Sequence, residues 1–426
     1  MRFTSLDDWL SWQETLHPSD IELGLERVAS VFHLLHPKPN FPTVITVAGT
    51  NGKGSSVAML NSIYRAAGYR VGCYTSPHLF NYNERIVING EAIDDQSLCD
   101  AFTRIDEARE EISLTYFEFG TLAALDIFLQ KTHSLDVIIL EVGLGGRLDA
   151  VNIIDSDVAL ITAISIDHVQ WLGKNIEDIA KEKCGVIRRA KPVVSSGLNA
   201  VETIKTCARE QDALLYQIGN AFNIIEAANN KSEVWNWQSD TQQRVALPKP
   251  ALFGKHQLSN AAGVLMVLEL LATVLPVNQA AVREGLISIQ LAGRFQVLSN
   301  EPTIIVDVAH NVDAIEALSQ QLQQTPCQGK TLAVLGMLSD KEIKASLMKV
   351  MPSIDEWFLA PLATPRTESV ANLHATLQSC SKSASIHCND DIKQAFQAAQ
   401  SSAEKIDRII VFGSFYTVAE VMQEAL

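Results

Sequence analysis

Apolar positions along this 426-residue chain come in short, dense runs rather than long stripes. Five such runs occupy residues 43–48, 69–74, 135–142, 157–164 and 192–195. Most are rich in Val and Ile and lack polar alternation, the pattern of strands buried on both faces. Helical periodicity separates most of them, which predicts a parallel sheet with crossover helices. Residues 220–250 break the rhythm. They are rich in Asn, Gln, Ser and Thr, carry Trp235 and Trp237, and end in Leu247-Pro248-Lys249-Pro250. Short antiparallel strands and turns are expected there. Helices follow over 256–274 and 278–287. The first holds the most apolar stretch, Leu265–Leu271, and Asn260 and Glu269 mark it as a buried core helix rather than a membrane span.

A second α/β rhythm begins after Gly293-Arg294-Phe295. Its strands are expected at 303–308, 331–336, 356–360 and 408–412, with helices between. The boundary near 293 divides the chain into 1–293 and 294–426, the latter close to typical domain size. The fold class is therefore α/β. A large phosphate-loop domain has a mostly parallel sheet and a small antiparallel part, and a smaller Rossmann-like α/β domain follows.

Composition narrows the function classes. The formal charge of −15 argues against a nucleic-acid partner, which needs a basic face. Seven scattered cysteines without a CxxC pair fit a reducing compartment. No apolar run reaches the length of a spanning helix, and the amino terminus lacks an apolar signal core. A cytoplasmic protein without a membrane partner is expected.

The sharpest chemical signal is Gly49-Thr50-Asn51-Gly52-Lys53-Gly54-Ser55, set between the run 43–48 and a helical pattern. Strand, glycine loop, lysine and helix wrap backbone N–H groups around phosphates. The spacing departs from the common phosphate loop: Gly49 lies four residues before Lys53, and Gly54 separates Lys53 from Ser55. Glu141 ends the run 135–142, where ligands of open α/β sheets gather, and suits a cation better than a mere turn cap once the glycine loop is considered. Gly143-Leu144-Gly145-Gly146-Arg147-Leu148-Asp149-Ala150 then reads as a ligand-wrapping loop or a tight turn with a surface arginine. Three further positions favour plainer readings when taken singly. Ser76 precedes Pro77 as in an ordinary turn. His168, just past a strand, is more often structural than a ligand, and Mg²⁺ prefers oxygen. Lys183 lies on a charged helix whose Glu177 and Lys181 are spaced for a solvated pair. In the second domain, Asp307 and Asn311 suit either a nucleotide sugar or helix capping, and capping is the simpler reading.

Together these pieces resemble the folylpolyglutamate synthase/dihydrofolate synthase family of the Mur-ligase superfamily. The resemblance rests on GTNGKGS at 49–55, SPHL at 76–79, TYFEFGT at 115–121, EVGLGGRLDA at 141–150, DH at 167–168, EKCG at 182–185, GRFQ at 293–296, DVAHN at 307–311 and GSFYTV at 413–418. The set spans nearly the whole chain in the family's order and is closest to the bifunctional bacterial enzymes. It implies ATP-dependent ligation of L-glutamate to dihydropteroate and to reduced folates through an acyl phosphate. Such chemistry needs positioned ATP, neutralised phosphate charge and exclusion of water.

By the same resemblance, Gly52, Lys53, Gly54 and Ser55 bind the ATP phosphates. Asn260, Arg294 and Asp307 are further ATP contacts, and His310 lies near the phosphates. Ser76, Glu141 and His168 match Mg²⁺ ligands, against the plainer readings of Ser76 and His168. Lys183 matches a lysine carried as a carbamate, which turns a cation into an anion able to support a metal. Glu22, Leu23 and Gly24, Thr115, Tyr116, Phe117 and Glu118, and Leu148, Asp149 and Ala150 match the dihydropteroate-contacting segments, with Phe117 suited to stack on a pterin. Val151 and Cys184 depart from the threonine and alanine usual in the family. A monomer is expected, and a monovalent cation is a further candidate cofactor. The other readings are a monofunctional folylpolyglutamate synthase, a peptidoglycan-precursor Mur ligase and a nucleotide-binding regulatory module.

Overall fold

The computed structural model describes residues 2–19, 21–226, 234–381 and 383–425. The chain divides into two compact units. The first comprises Met1–Ile164, Trp171–Ala251 and Gln257–Ile289. The second comprises Gln290–Leu426 together with two short excursions, Ser165–Gln170 and Leu252–His256.

The first unit is built on an eight-stranded sheet. Its strands are β1 (Thr43–Ala48), β2 (Val71–Tyr74), β3 (Ile86–Ile88), β4 (Glu91–Ala92), β5 (Val137–Glu141), β6 (Val158–Ile161), β7 (Pro192–Ser195) and β8 (Leu214–Gln217). The spatial order is β4-β3-β2-β5-β1-β6-β7-β8. All pairings from β2 to β8 are parallel, and β3 and β4 add an antiparallel edge. The five expected strands are present. The sequence pattern does not predict the short β3, β4 and β8, since two to four residues carry little periodic signal. β9 (Phe222–Glu226), β10 (Val234–Ser239) and β11 (Gln243–Pro248) form the expected small antiparallel sheet. Trp235 and Trp237, two residues apart on β10, both face its buried side. The 227–233 part of that prediction lies outside the described residues.

The helix His256–Leu270 is buried along most of its length, as its composition requires. It stops short of the expected 274, continuing as turns before Pro276. Pro276 disfavours helix in the residue before it. Gly263 lets this helix approach Ser196 and Leu160; a Cβ there would lie 2.6 Å from the Ser196 Cβ.

The second unit has a six-stranded sheet ordered β12-β13-β17-β14-β15-β16. Its strands are β12 (Gln296–Asn300), β13 (Thr303–Val306), β14 (Thr331–Leu335), β15 (Glu356–Leu359), β16 (Ser385–Cys388) and β17 (Arg408–Phe412). Only the β12–β13 pair is antiparallel. A core of Ile305, Leu335, Trp357, Ile410 and Phe412 lies between this sheet and its helices. The four apolar strands were legible; the two edge strands, exposed and polar, were not.

Candidate active site

In the first unit the functional residues collect at the carboxyl ends of the parallel strands, where a doubly wound sheet leaves its crevice. β1 lies between β5 and β6, so the loop that leaves Ala48 runs beside both. Thr50 and Asn51 donate backbone N–H groups to the Ala163 carbonyl at 2.8 and 3.2 Å, which pins the loop to the end of β6. Gly52 closes the loop with φ of 94° and leads into the helix Lys53–Ala66. A side chain there would need both a left-handed backbone and 2.5 Å proximity to Asn260 Oδ1. The first turn of the helix therefore presents unpaired N–H groups to the loop, the arrangement that receives anions.

Lys53 Nζ folds back onto the carbonyls of Gly49 and Thr50 at 3.1 and 3.2 Å. Ser55 is buried and its Oγ accepts from Gln257 Nε2 at 3.3 Å. Gln257 Oε1 in turn accepts from Asn260 Nδ2 at 3.0 Å. Gln257 escaped the sequence reading. The available signal was its place three residues before Asn260, on the same helix face.

Glu141 ends β5 in register with Val47 of β1, one strand away from the phosphate loop. It is 5% exposed, and its Oε2 lies 3.4 Å from the backbone N of Ser76 at the end of β2. A buried carboxylate and a serine thus share one strand-end corner.

Lys183 corrects the plain reading of its helix. Lys181 is exposed as expected, but Lys183 is 4% exposed and donates to the Gly49 carbonyl at 2.9 Å. The cause is backbone packing. The loop 143–147 lies directly on the end of the helix Ile176–Cys184, with Arg147 N donating to Glu182 O at 2.8 Å. A Cβ on Gly146 would sit 2.8 Å from that carbonyl, and one on Gly185 2.3 Å from Arg147 Cα. The glycines allow the contact, and the contact carries Lys183 under the phosphate loop. Arg147 itself stays at the surface, paired with Glu182 at 2.8 Å.

Asp149 holds the same loop from within. Its carboxylate accepts from the N–H groups of Leu144 and Val151 at 2.8 and 3.1 Å. Burial pushes its pKa up to about 6, against the pull of those donors and of Lys53. The neighbouring aromatic segment is also locally fixed. Thr115 and Glu118 form a reciprocal capping box at the start of the helix Tyr116–Phe128. Phe117 rests against Gly143, where a Cβ would meet its ring at 2.6 Å, and lies 5.9 Å from the Tyr74 ring. Arg27 reaches both Glu118 Oε1, at 3.1 Å, and Glu22, so segments 22–24 and 115–118 belong to one neighbourhood. Glu22 is held below the usual carboxylate range by its hydrogen bond to His17 and then by Arg27.

His168, Arg294, Asp307 and His310 belong to the second unit. Asp167 is the hub there. Lys341 Nζ donates to it at 2.7 Å, Asn311 Nδ2 at 3.2 Å, and His310 Nε2 lies 3.6 Å away. Burial alone would raise its pKa; His310, His168 and Lys341 together drive it well below the carboxylate range. Lys341, 4% exposed at its side chain, is a charged residue that sequence reasoning missed. His168 adopts φ of 51° and donates its N–H to Asp167 Oδ1 at 2.8 Å. Of the two capping candidates, Asn311 caps the helix Val312–Gln324 through Ala314 N at 3.0 Å. Asp307 does not; its two oxygens accept from Phe295 N and Ala309 N, each at 2.8 Å. Burial raises its pKa, opposed by Arg294 and those donors.

The comparisons with known proteins agree with this geometry. Residues 47–268 match the Mur ligase middle domain, and residues 293–415 match the Mur ligase glutamate ligase domain. The dihydrofolate synthase/folylpolyglutamate synthase of Escherichia coli (strain K12) is 43% identical over 418 residues, covering 98% of this chain and 95% of the relative. That of Haemophilus influenzae is 40% identical over 436 residues, with coverage of 97% and 96%. The structure of the E. coli enzyme in complex with DHPP and ADP superposes with a TM-score of 0.92 at 42% identity, covering 99% of this chain and 97% of that one. A bifunctional folylpolyglutamate synthase/dihydrofolate synthase with Mn, AMPPNP and L-glutamate bound gives a TM-score of 0.90 at 44% identity, with coverage of 99% and 98%. By sequence along its whole length and by fold, this chain belongs to the dihydrofolate synthase/folylpolyglutamate synthase family of Mur ligases.

Proposed function

We propose that the protein is a bifunctional dihydrofolate synthase and folylpolyglutamate synthase. It joins L-glutamate to dihydropteroate and to reduced, already glutamylated folates, driven by ATP. The observation that carries this reading is Lys183, buried against the Gly49 carbonyl of the phosphate loop. A module that only senses nucleotide has no use for a second lysine buried there, whereas a ligase needs charge placed on the acyl side of the phosphate.

The N–H groups of the loop and of the first helical turn bind the ATP phosphates. Lys53 leaves the carbonyls of Gly49 and Thr50 to meet phosphate oxygens, neutralising charge as the γ-phosphoryl group transfers. The substrate carboxylate attacks the γ-phosphorus and ADP departs. The glutamate amine then attacks the acyl carbon, loses a proton, and phosphate leaves. Asn260 is assigned as a further ATP contact, and Arg294, Asp307 and His310 are assigned to the nucleotide.

Glu141 fits a hard divalent cation, since it places a buried carboxylate beside the backbone of the half-buried Ser76, whose hydroxyl is assigned as a second oxygen ligand. His168 is assigned as its nitrogen ligand. Bound Mg²⁺ would neutralise phosphate charge. Lys183 as a carbamate would keep one N–H, so Nζ would go on donating to Gly49 while its new carboxylate faced the cation. Phe117 and the segments 22–24 and 148–150 would receive the pterin, with residues 1–293 carrying ATP and pterin and residues 294–426 carrying glutamate ligation. No helix among the described residues is long and apolar enough to cross a membrane, and a cytoplasmic monomer is proposed.

The test is phosphate release with dihydropteroate or tetrahydrofolate, each with and without L-glutamate. Release that requires both partners for both pterins is expected. Turnover of tetrahydrofolate alone would leave a monofunctional folylpolyglutamate synthase.

A further inference from the structure

The connection between the helices Leu6–Leu16 and Glu26–Leu35 is held by polar side chains at both of its ends. His17, at its start, places Nε2 2.8 Å from Glu22 Oε2 and Nδ1 2.7 Å from Ser113 Oγ. Arg27, just past its end, grips the Glu22 carboxylate and donates to the Glu22 carbonyl at 3.1 Å. The same guanidinium donates to Glu118 Oε1 at 3.1 Å. Glu22 is thus gripped from both ends of its own loop, and each gripping side chain also holds the 113–118 segment. Glu118 Oε2 completes the ring through Thr115 N at 2.8 Å.

Stability alone does not account for this investment. The Glu22 side chain is 47% exposed, and ion pairs this open to water contribute little to folding. What the ring fixes is position: a loop without regular structure is set against the turn that presents Tyr116 and Phe117.

We propose that His17 and Arg27 are positioning residues that clasp the Glu22–Gly24 loop to the Thr115–Glu118 turn and thereby set affinity for the pterin end of the substrate. The inference rests on the assignment of those two segments to pterin binding. Arg27 is the principal half of the clasp, because one planar fork serves two carboxylates. A lysine could keep the charge but not both contacts.

Steady-state kinetics of Arg27→Gln, Arg27→Lys and His17→Asn decide the matter. Arg27→Gln is expected to raise KM for dihydropteroate about tenfold, with His17→Asn smaller and Arg27→Lys intermediate. Turnover at saturation and KM for ATP should stay within about twofold of wild type. A merely structural role would instead lower kcat or shift both KM values together, and that pattern overturns the clasp. So does an unchanged KM for dihydropteroate. If Arg27→Gln fails to fold, His17→Asn alone decides by the same criteria. Wild-type protein that cannot use dihydropteroate would refute the functional assignment; wild-type turnover with unaffected variants would refute only the clasp.

Discussion

Gly52→Ala tests how the phosphate loop is held open. The residue has φ of 94°, and an added Cβ would lie 2.5 Å from Asn260 Oδ1 and 3.0 Å from both Cγ and Nδ2. The backbone penalty for a side chain in this region is about 1 kcal/mol. All three close atoms belong to one amide, so relief comes from moving Asn260. That movement breaks its 3.0 Å hydrogen bond to Gln257, at a further cost of about 1–2 kcal/mol for a buried pair. The sum, about 2–3 kcal/mol, corresponds to roughly 30- to 150-fold in ATP affinity if the loop bears all of it. Isothermal titration with a non-hydrolysable ATP analogue reads the affinity, and urea unfolding reads the share borne by the fold. The decisive comparison is a double-mutant cycle with Asn260→Ala. Without the amide the clash disappears, so Gly52→Ala should then cost only the backbone part, about 1 kcal/mol. An equal cost in both backgrounds, or no loss of ATP affinity at all, would refute the reasoning.

Lys53→Ala is expected to abolish glutamate-dependent phosphate release, and near-normal turnover would remove this lysine from the phosphate site. Lys183→Ala should lose ligation and regain part of it with small carboxylates such as acetate; mass spectrometry of active, metal-loaded wild type should show the carbamate, and an unmodified lysine there would contradict it. Asp149 gives a pH signature. Its folded pKa of about 6 lies above the ordinary carboxylate value, so the folded state holds the proton more tightly than the unfolded one. The stabilisation from this group is full below the unfolded pKa and is lost as pH rises through 6. Wild type should therefore gain stability relative to Asp149→Asn between pH 7 and pH 4 in urea unfolding, and a flat difference would show that this carboxylate is not buried as described.

Much of this protein is local in origin and can be read from the chain. Residues 43–48 and 137–141 are strands because they are β-branched and short, and Gly49–Ser55 is a glycine loop because its glycines and lysine stand between strand and helix. The strand-end places of Ser76 and Glu141 follow from the same patterns. Other features depend on which segments meet. Lys183 lies on a helix whose polar residues suggest a solvated face; only the backbone contact of Gly146 and Gly185 with that helix end buries it under Gly49. Asp307 and Asn311 both suit capping by residue type, yet only Asn311 directly precedes the helix, and Asp307, at the end of β13, accepts from Phe295 N and Ala309 N instead. Arg27 and Lys341 show no local signal, since Glu118 and Asp167 lie 91 and 174 residues away from them, and Gln257, although close to Asn260 on its own helix, meets Ser55 across 202 residues. Sequence fixes the periods and the turns, which are set by neighbours a few residues away. Charge burial and hydrogen-bond partnership belong to the tertiary structure, because they depend on groups that chain order does not place together.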